Sequence, residues 1–296
     1  MTTRKTILPI HSKFMNAKRN SYYLLMALAV ILVMFSSCSK ENQQIDYNVG
    51  VLASQEYVQS QQMMDLLLNT YFKSITDSLL IVDYSSSVDG ATVTYRNTPG
   101  ETIIINYPLW GCEDECGHNR AGKITAVAHP GFYDSLAVIN LSFDEFRYDG
   151  DTLLVNGFTI TNKGKTDGLN DAYAVKVQSV QRIYADTMGG GTHFSMDQIF
   201  VREKDPATIY HSTKDRFMIS GTIKGVSSTG YSYMAHVETE GYILDQFSCN
   251  WAKLGPALLS LESQVYSTFI LFPGADTCAN RYVVDIEGNS FYFLFD

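Results

Sequence analysis

Two hydrophobic periods divide this chain. Tyr57, Gln61, Met64, Leu68, Tyr71, Ile75 and Leu79 recur at steps of three and four, with Gln55, Gln59, Gln62 and Asp65 off that stripe. The spacing predicts one amphipathic helix near 54–80, within a segment 51–80, whose plainest role is to cover one face of a sheet. The stripe is shorter than the run of heptads that an oligomeric seam sustains. From Asp83 onward the period is two. Phe217, Ile219 and Ile223 alternate with Met218, Ser220, Thr222 and Lys224, and Tyr173, Val175 and Val177 alternate with Ala174, Lys176 and Gln178. Such runs are half-buried strands.

About a dozen such runs follow one another, with no helical pattern between them. They are punctuated by Asp149-Gly150, Asn156-Gly157, Lys163-Gly164, Thr229-Gly230, Pro273-Gly274 and Gly288-Asn289. Short connections make neighbours antiparallel, so residues 81–296 are expected to be a mainly β body, an antiparallel sandwich or barrel-like meander. Its last hairpin is read as Tyr282, Val284 and Ile286, a two-residue Gly288-Asn289 turn, then Phe291, Phe293 and Phe295. Tyr292 and Leu294 make the opposite face apolar as well, which predicts cover on both sides. Gly189-Gly190-Gly191 is the candidate break between sub-units 81–188 and 192–296. It lacks the strand-then-helix setting of a phosphate-binding loop.

The N-terminus is read separately. Arg4, Lys5, Lys13, Lys18 and Arg19 precede an apolar run from Tyr22 to Phe35, which ends at Ser36, Ser37 and Cys38. A basic region, a short apolar region and small residues before a cut site predict an export signal over 1–37, with Met15 an alternative start. The apolar run is shorter than the ~20 residues a spanning helix needs. Phe35-Ser36-Ser37-Cys38 resembles the lipobox of bacterial lipoproteins, which implies acylation of Cys38 and membrane lipid as a partner. Each buried methylene adds about 0.8 kcal/mol, so several acyl chains hold where one does not. Ser39 stands where, by resemblance to lipoprotein sorting rules, an aspartate would favour the inner membrane, so the outer membrane is expected. Lys40-Glu41 supplies one acid where a surface-export signal resembles an acidic run, which leaves periplasmic and surface-facing placements both open. Residues 38–50 are polar and read as a tether.

Composition fits a folded, exported body. Hydrophobic residues make up 45% and charged residues 18%, which argues for a core and against disorder. The net charge is −9, and the five basic residues of the signal are balanced by no acid there, so the rest is more acidic still. That charge repels phosphate backbones and argues against a nucleic-acid partner. Cys112, Cys116, Cys249 and Cys278 remain after Cys38, an even number in an oxidising compartment. Of three connectivities, Cys112 with Cys116 and Cys249 with Cys278 keeps each pair within a local unit. Cys112, Cys116, His118 and His129 also offer zinc-ligand chemistry, at a spacing that fits no strong pattern.

Taken together, Thr102 to Tyr107, Gly111-Cys112, Arg120 to Thr125, Asn140 to Arg147, Val155-Asn156-Gly157, Thr159 to Gly164, Ser248-Cys249-Asn250-Trp251, Pro273 to Cys278 and Glu287 to Phe291 resemble a family of uncharacterised lipoproteins from Bacteroidetes-type bacteria. The resemblance covers most of the mature chain and rests on turn and cysteine positions. It implies a lipid-anchored, β-rich envelope protein with no established activity. The family usually carries a cysteine near Ala91 to Arg96, where this chain has none.

Candidate chemistry is sparse. His129, Asp134 and Ser135 crowd one Pro-Gly loop, which more often makes a turn than a catalytic triad. No Gly-x-Ser-x-Gly or His-Glu-x-x-His motif occurs. Glu113-Asp114-Glu115 and Asp144-Glu145 with Asp149 and Asp151 carry oxygen ligands but no calcium-loop spacing. Trp110 is either a stacking platform for a sugar ring or a cover for the neighbouring cysteines, and the latter is expected. Asp77-Ser78-Leu79, Asp134-Ser135-Leu136, Asp151-Thr152-Leu153 and Asp186-Thr187-Met188 resemble an O-glycosylation sequon of exported Bacteroidetes proteins, which makes Ser135, Thr152 and Thr187 candidate sites. No cofactor is expected. The reading is a lipid-anchored envelope protein that binds protein or glycan or serves in envelope assembly; its rival is a cell-envelope hydrolase acting on glycan or peptide.

Overall fold

The structure is a computed structural model that describes residues 47–97, 100–114, 117–166, 170–186, 190–204, 215–246, 249, 252–262, 264–274 and 280–295, without the side chains of Ser78, Leu79 and Ile81. Helices α1 (Tyr47–Thr76) and α2 (Ser78–Asp83) come first. Strands β1 (Ser85–Val88), β2 (Ala91–Asn97), β3 (Glu101–Glu113), β4 (Asn119–His129) and β5 (Val138–Tyr148) follow. Next are β6 (Asp151–Thr166), β7 (Asn170–Ile183), β8 (Gly191–Glu203), β9 (Arg216–Val226) and β10 (Ser232–Val237). The last are β11 (Ile243–Gln246), β12 (Leu254–Leu261), β13 (Ser267–Pro273), β14 (Tyr282–Ile286) and β15 (Asn289–Phe293).

The expected antiparallel meander is observed, as one 15-stranded sheet in which almost every strand pairs with its successor. The departure is local. Val237 of β10 pairs with Gly221 of β9 and Ile243 of β11 pairs with Ile219 of the same strand, so β10 and β11 are two halves of one strand interrupted at 238–242. The sheet also continues through the glycine-rich stretch, since Ile183 of β7 pairs with Gly191 of β8. Among the described residues its edges are β1 and β15.

Two-residue turns close several hairpins. Asp89-Gly90, Asp149-Gly150 and Glu287-Gly288 each place both residues at positive φ, the mirror-image turn whose twist matches a right-twisted ladder. The last turn lies one residue earlier than expected: Ile286 pairs with Asn289 and Val284 with Phe291. The second central position of this turn favours glycine, so Gly288 takes it and Asn289 starts the strand. Asn156-Gly157 and Lys163-Gly164, expected as turns, lie inside β6, where the register against β7 shifts between Asn162 and Gly164. Glycine at positive φ there bends a continuous strand.

Helix α1 differs most from expectation. It begins at Tyr47, inside the expected tether, and every residue from Ser60 to Phe72 is buried. Its side chains reach Asp89 of the β1–β2 turn, Arg120 of β4, Tyr173 of β7, Gln198 of β8, Phe217 of β9, Asp245 of β11 and Phe291 of β15. A helix is only ~10–12 Å across with its side chains, so a sheet that meets it on all these strands is curled around it. The helix is therefore a core strut and not a cover for one face. Gly50 shows how closely its first turns are held, because a Cβ there would meet Ile286 Cδ1 at 2.8 Å.

Most buried polar side chains of α1 are answered by partners, while Tyr57 OH and Asp65 Oδ2 accept or donate no hydrogen bond among the described residues. Ser54, Ser60 and Ser74 hydroxyls each donate to the carbonyl four residues back, at 2.7 Å. Gln198 Nε2 donates to Gln61 Oε1 at 2.7 Å, Gln61 Nε2 donates to Asp65 Oδ1 at 2.8 Å, and Asn69 Nδ2 donates to Asp245 Oδ2 at 3.2 Å. Polar groups that sequence periodicity assigns to solvent thus enter the core with partners, as burial requires.

Candidate binding cleft

Loops alternate between the two ends of a meander. The turns after β1, β3, β5, β7 and β9 share one end, and there a cleft of about 630 Å3 opens between the first turns of α1, the β5–β6 turn and the end of β7. Gln55, Glu56 and Gln59 line it from the helix, with Asp149, Asp151, Arg182 and Tyr184 opposite.

Glu56, Asp149, Asp151 and Arg182 are each held by the protein itself, whereas Asp186 at the mouth is exposed. Arg182 Nε donates to Asp151 Oδ2 at 2.6 Å, the guanidinium lies 5.3 Å from the centroid of the Tyr184 ring, and Nη1 is 3.4 Å from Gln59 Oε1. Ala185 N donates to Asp151 Oδ1 at 2.9 Å. Glu56 accepts from the Ser228 amide, 3.0 Å from Oε1 and 3.1 Å from Oε2, and from the Ser228 hydroxyl. Burial still pushes its carboxyl above the usual range, outweighing those hydrogen bonds. Asp149 goes the other way. Burial pushes it up, but His118, with Nδ1 2.8 Å from Oδ2, and the Asn119 amide, 2.7 Å from Oδ1, hold it below its ordinary value.

A polar network runs inward from this rim. His118 stacks on Tyr148 with centroids 5.1 Å apart, and its amide donates to Asp114 Oδ1 at 2.9 Å. Asp114 pairs with Arg120, which is 1% exposed. Arg120 Nη1 donates to Thr70 Oγ1 at 2.7 Å and to Tyr107 OH at 3.2 Å. Thr70 in turn donates to Asp89 Oδ2 at 2.6 Å, and Lys73 Nζ lies 2.8 Å from Asp89 Oδ1. Buried charges arranged this way fix the position of the rim, since moving one would strand its partner.

Such a cleft offers amides, oriented carboxylate lone pairs and one aromatic ring, the groups that receive hydroxyl-rich ligands. Its lining has no serine, cysteine or histidine.

The candidates from sequence lie elsewhere or differ from expectation. Cys112 is a free thiol over Gly90, so the expected bridge to Cys116 is not formed; the residue belongs to β3 and its side chain turns to the β1–β2 hairpin. Cys249 is buried and is not free. Its expected partner Cys278, together with Cys38 and Cys116, lies outside the described residues. His118 and His129 sit at opposite ends of β4, an 11-residue strand, and no metal-holding group of three occurs among the described residues. The aspartates of the acidic clusters are paired, Asp114 with Arg120, Asp144 with Lys123, Asp149 with His118 and Asp151 with Arg182, while Glu115 lies outside the described residues. Among the described residues no hydrogen bond joins His129, Asp134 and Ser135; Asp134 serves its own turn, where its carbonyl accepts from Ala137 N at 3.1 Å and from Asn162 Nδ2 at 3.1 Å. Trp110 is 88% exposed and covers no cysteine bridge, because the register shift between Tyr107 and Cys112 turns it outward. Ser135 is exposed between β4 and β5, Thr152 is half-buried in β6, and Thr187 lies outside the described residues.

Sequence reading reached Asp149 and Asp151 only as an acidic run and missed Glu56, Gln59, Arg182 and Tyr184. The available signal was Gln55 and Gln59, one turn apart on the polar side of the helix.

No family model matches this chain, and neither a curated protein nor a solved structure matches it. Among the described residues, no helix is long and apolar enough to cross a membrane.

Proposed function

We propose that this chain is a lipid-anchored protein of the outer membrane, acylated at Cys38, whose β-body binds a hydroxyl-rich ligand, a glycan, without turning it over. One observation carries the binding half of the reading: the end-on cleft is pre-formed, and the Glu56, Asp149, Asp151 and Arg182 side chains that line it are already held by protein partners. A ligand there meets fixed acceptors at little ordering cost. The anchor half rests on the lipobox-like Phe35-Ser36-Ser37-Cys38. Cys38→Ala should leave an uncleaved precursor or a released protein that no longer enters the detergent phase. Identical partitioning and migration of mutant and wild type would remove the anchor from the reading. Binding is checked by titrating soluble xylan, starch and peptidoglycan fragments into wild type and Gln55→Ala; a saturable heat weakened by the substitution is expected, and no heat with any of them would remove the glycan.

The rival, a glycan hydrolase, draws on one feature. Glu56 and Asp149 lie in one cleft with carboxyls shifted in opposite directions, the arrangement of an acid and a base. Both Glu56 oxygens, however, are engaged by Ser228, which makes the carboxylate a clamp on the β9–β10 turn. Release of reducing sugar that disappears in Glu56→Gln would establish the rival.

A further inference from the structure

The outer face of the last strands is apolar and open, against the cover expected for it. Phe269 and Leu271 of β13 are 48% and 41% exposed, Tyr292 of β15 is 76% exposed, and Leu294 just beyond it is 70% exposed. Pairing makes the face continuous, since Leu271 lies beside Val283 and Val283 beside Tyr292. The alternate residues Ile270, Phe272 and Val284 are buried on the other side of the same strands. A contiguous apolar face of this kind marks an interaction surface.

The first residue of α1 lies against the last hairpin and close in sequence to Cys38. Tyr47 is docked on the β14–β15 hairpin: its hydroxyl accepts from Asn289 Nδ2 at 3.3 Å, and its ring centroid is 6.3 Å from that of Phe291. Nine peptide steps separate Tyr47 from Cys38. At ~3.3–3.6 Å per residue, an anchor at Cys38 holds this hairpin within roughly 30 Å of the bilayer. From this we infer that the outer face of β13–β15 rests on the lipid surface, with Tyr292 and Leu294 at the boundary of headgroups and acyl chains. The inference rests on the acylation of Cys38 proposed above. The backbone agrees with a shallow position: β15 is an edge strand, and its unpaired groups need water or headgroups and cannot enter hydrocarbon. Tyrosine suits that depth, apolar in its ring and polar at its tip. The hairpin's Asp285 is occupied internally, accepting from Gly288 N at 3.1 Å and Ser290 Oγ at 2.8 Å, so its charge is already engaged where the face meets headgroups.

The test places a reporter on the face. Tyr292→Trp is made in the acylated full-length protein, with Ile199→Trp on the outer face of β8 as the control, and each is reconstituted in vesicles of phosphatidylethanolamine and phosphatidylcholine. Emission above that of the native Trp110 and Trp251 is read with and without bromine on the acyl chains, and intact mass reports acylation independently. The expected result is loss of most of the added emission at 292 and little loss at 199, because an interfacial apolar face sits ~5–10 Å into the headgroup and acyl boundary. Unquenched emission at 292 in a protein whose mass shows its acyl chains overturns the inference and leaves the anchor standing. Should the mass show no acyl chains, the anchor falls, and the same quenching with excess vesicles then decides: quenching at 292 supports the face, its absence overturns it. A blue shift at 292 without lipid quenching, accompanied by a cross-linked dimer, means that a second copy covers the face and overturns the inference as well.

Discussion

Asp65 and Asp245 are the two acids in the contact between α1 and β11. Burial, the largest cause, and the charge of Asp245 raise the Asp65 carboxyl well above its ordinary value. Burial pushes Asp245 up to about 6, against hydrogen bonds from Asn69 and from its own neighbour's amide. Groups whose folded values exceed their unfolded ones bind protons more tightly in the native state, so the stability they contribute is complete below the unfolded value near 3.8 and is lost as pH rises through about 6. Asp245→Asn removes that titration. Its unfolding midpoint should rise relative to wild type between about pH 4 and 7; a constant difference across that window would show that the pair does not titrate there. None of this was legible in the sequence. Asp65 stands off the apolar stripe, where periodicity assigns it to water, and only the strands that close over it make it a core residue.

Among elements, the strands were the most legible because alternation and burial are the same signal: Phe217, Ile219 and Ile223 are buried as their spacing predicts. Helix ends were less so. Tyr47 and Gly50 are helical because a hairpin more than two hundred residues away receives them, and no local pattern carries that information. The helix interior should dominate stability. Phe72 is fully buried and meets Tyr173 and Phe217 at centroid distances of 4.8 and 4.9 Å. Phe72→Ala should therefore cost about 3–5 kcal/mol. Tyr292→Ser, on the open face, should stay within about 0.5 kcal/mol. Urea unfolding of the two variants checks both, and a large loss at Tyr292 would mean that its face is packed within the fold.

For the molecule as a whole, the meander followed from short connections, whereas its wrapping around α1 did not, since a helix stripe reads the same whether one sheet face or a closed surround receives it. The cleft was invisible for a related reason: its lining joins α1, the β5–β6 turn and the end of β7, which sequence holds far apart. Cys249, buried before β12, is expected to be bridged to Cys278. A closed loop of about 30 residues should contribute roughly 3–4 kcal/mol by restricting the unfolded chain. That is a large share of a typical 5–15 kcal/mol, so replacing both cysteines by Ala should lower the unfolding midpoint measurably. Non-reducing peptide mapping that finds Cys249 joined to Cys116 would overturn the pairing. The order of the strands has one more consequence. In a sheet where each strand adds beside its predecessor, every pairing step is a short loop closure, and the contacts with α1 span growing separations, of which the return of β15 to Tyr47 is the longest. A chain delivered from its N-terminus can wind this sheet onto its own helix in the order of synthesis, and only the final hairpin has to wait for the last residue.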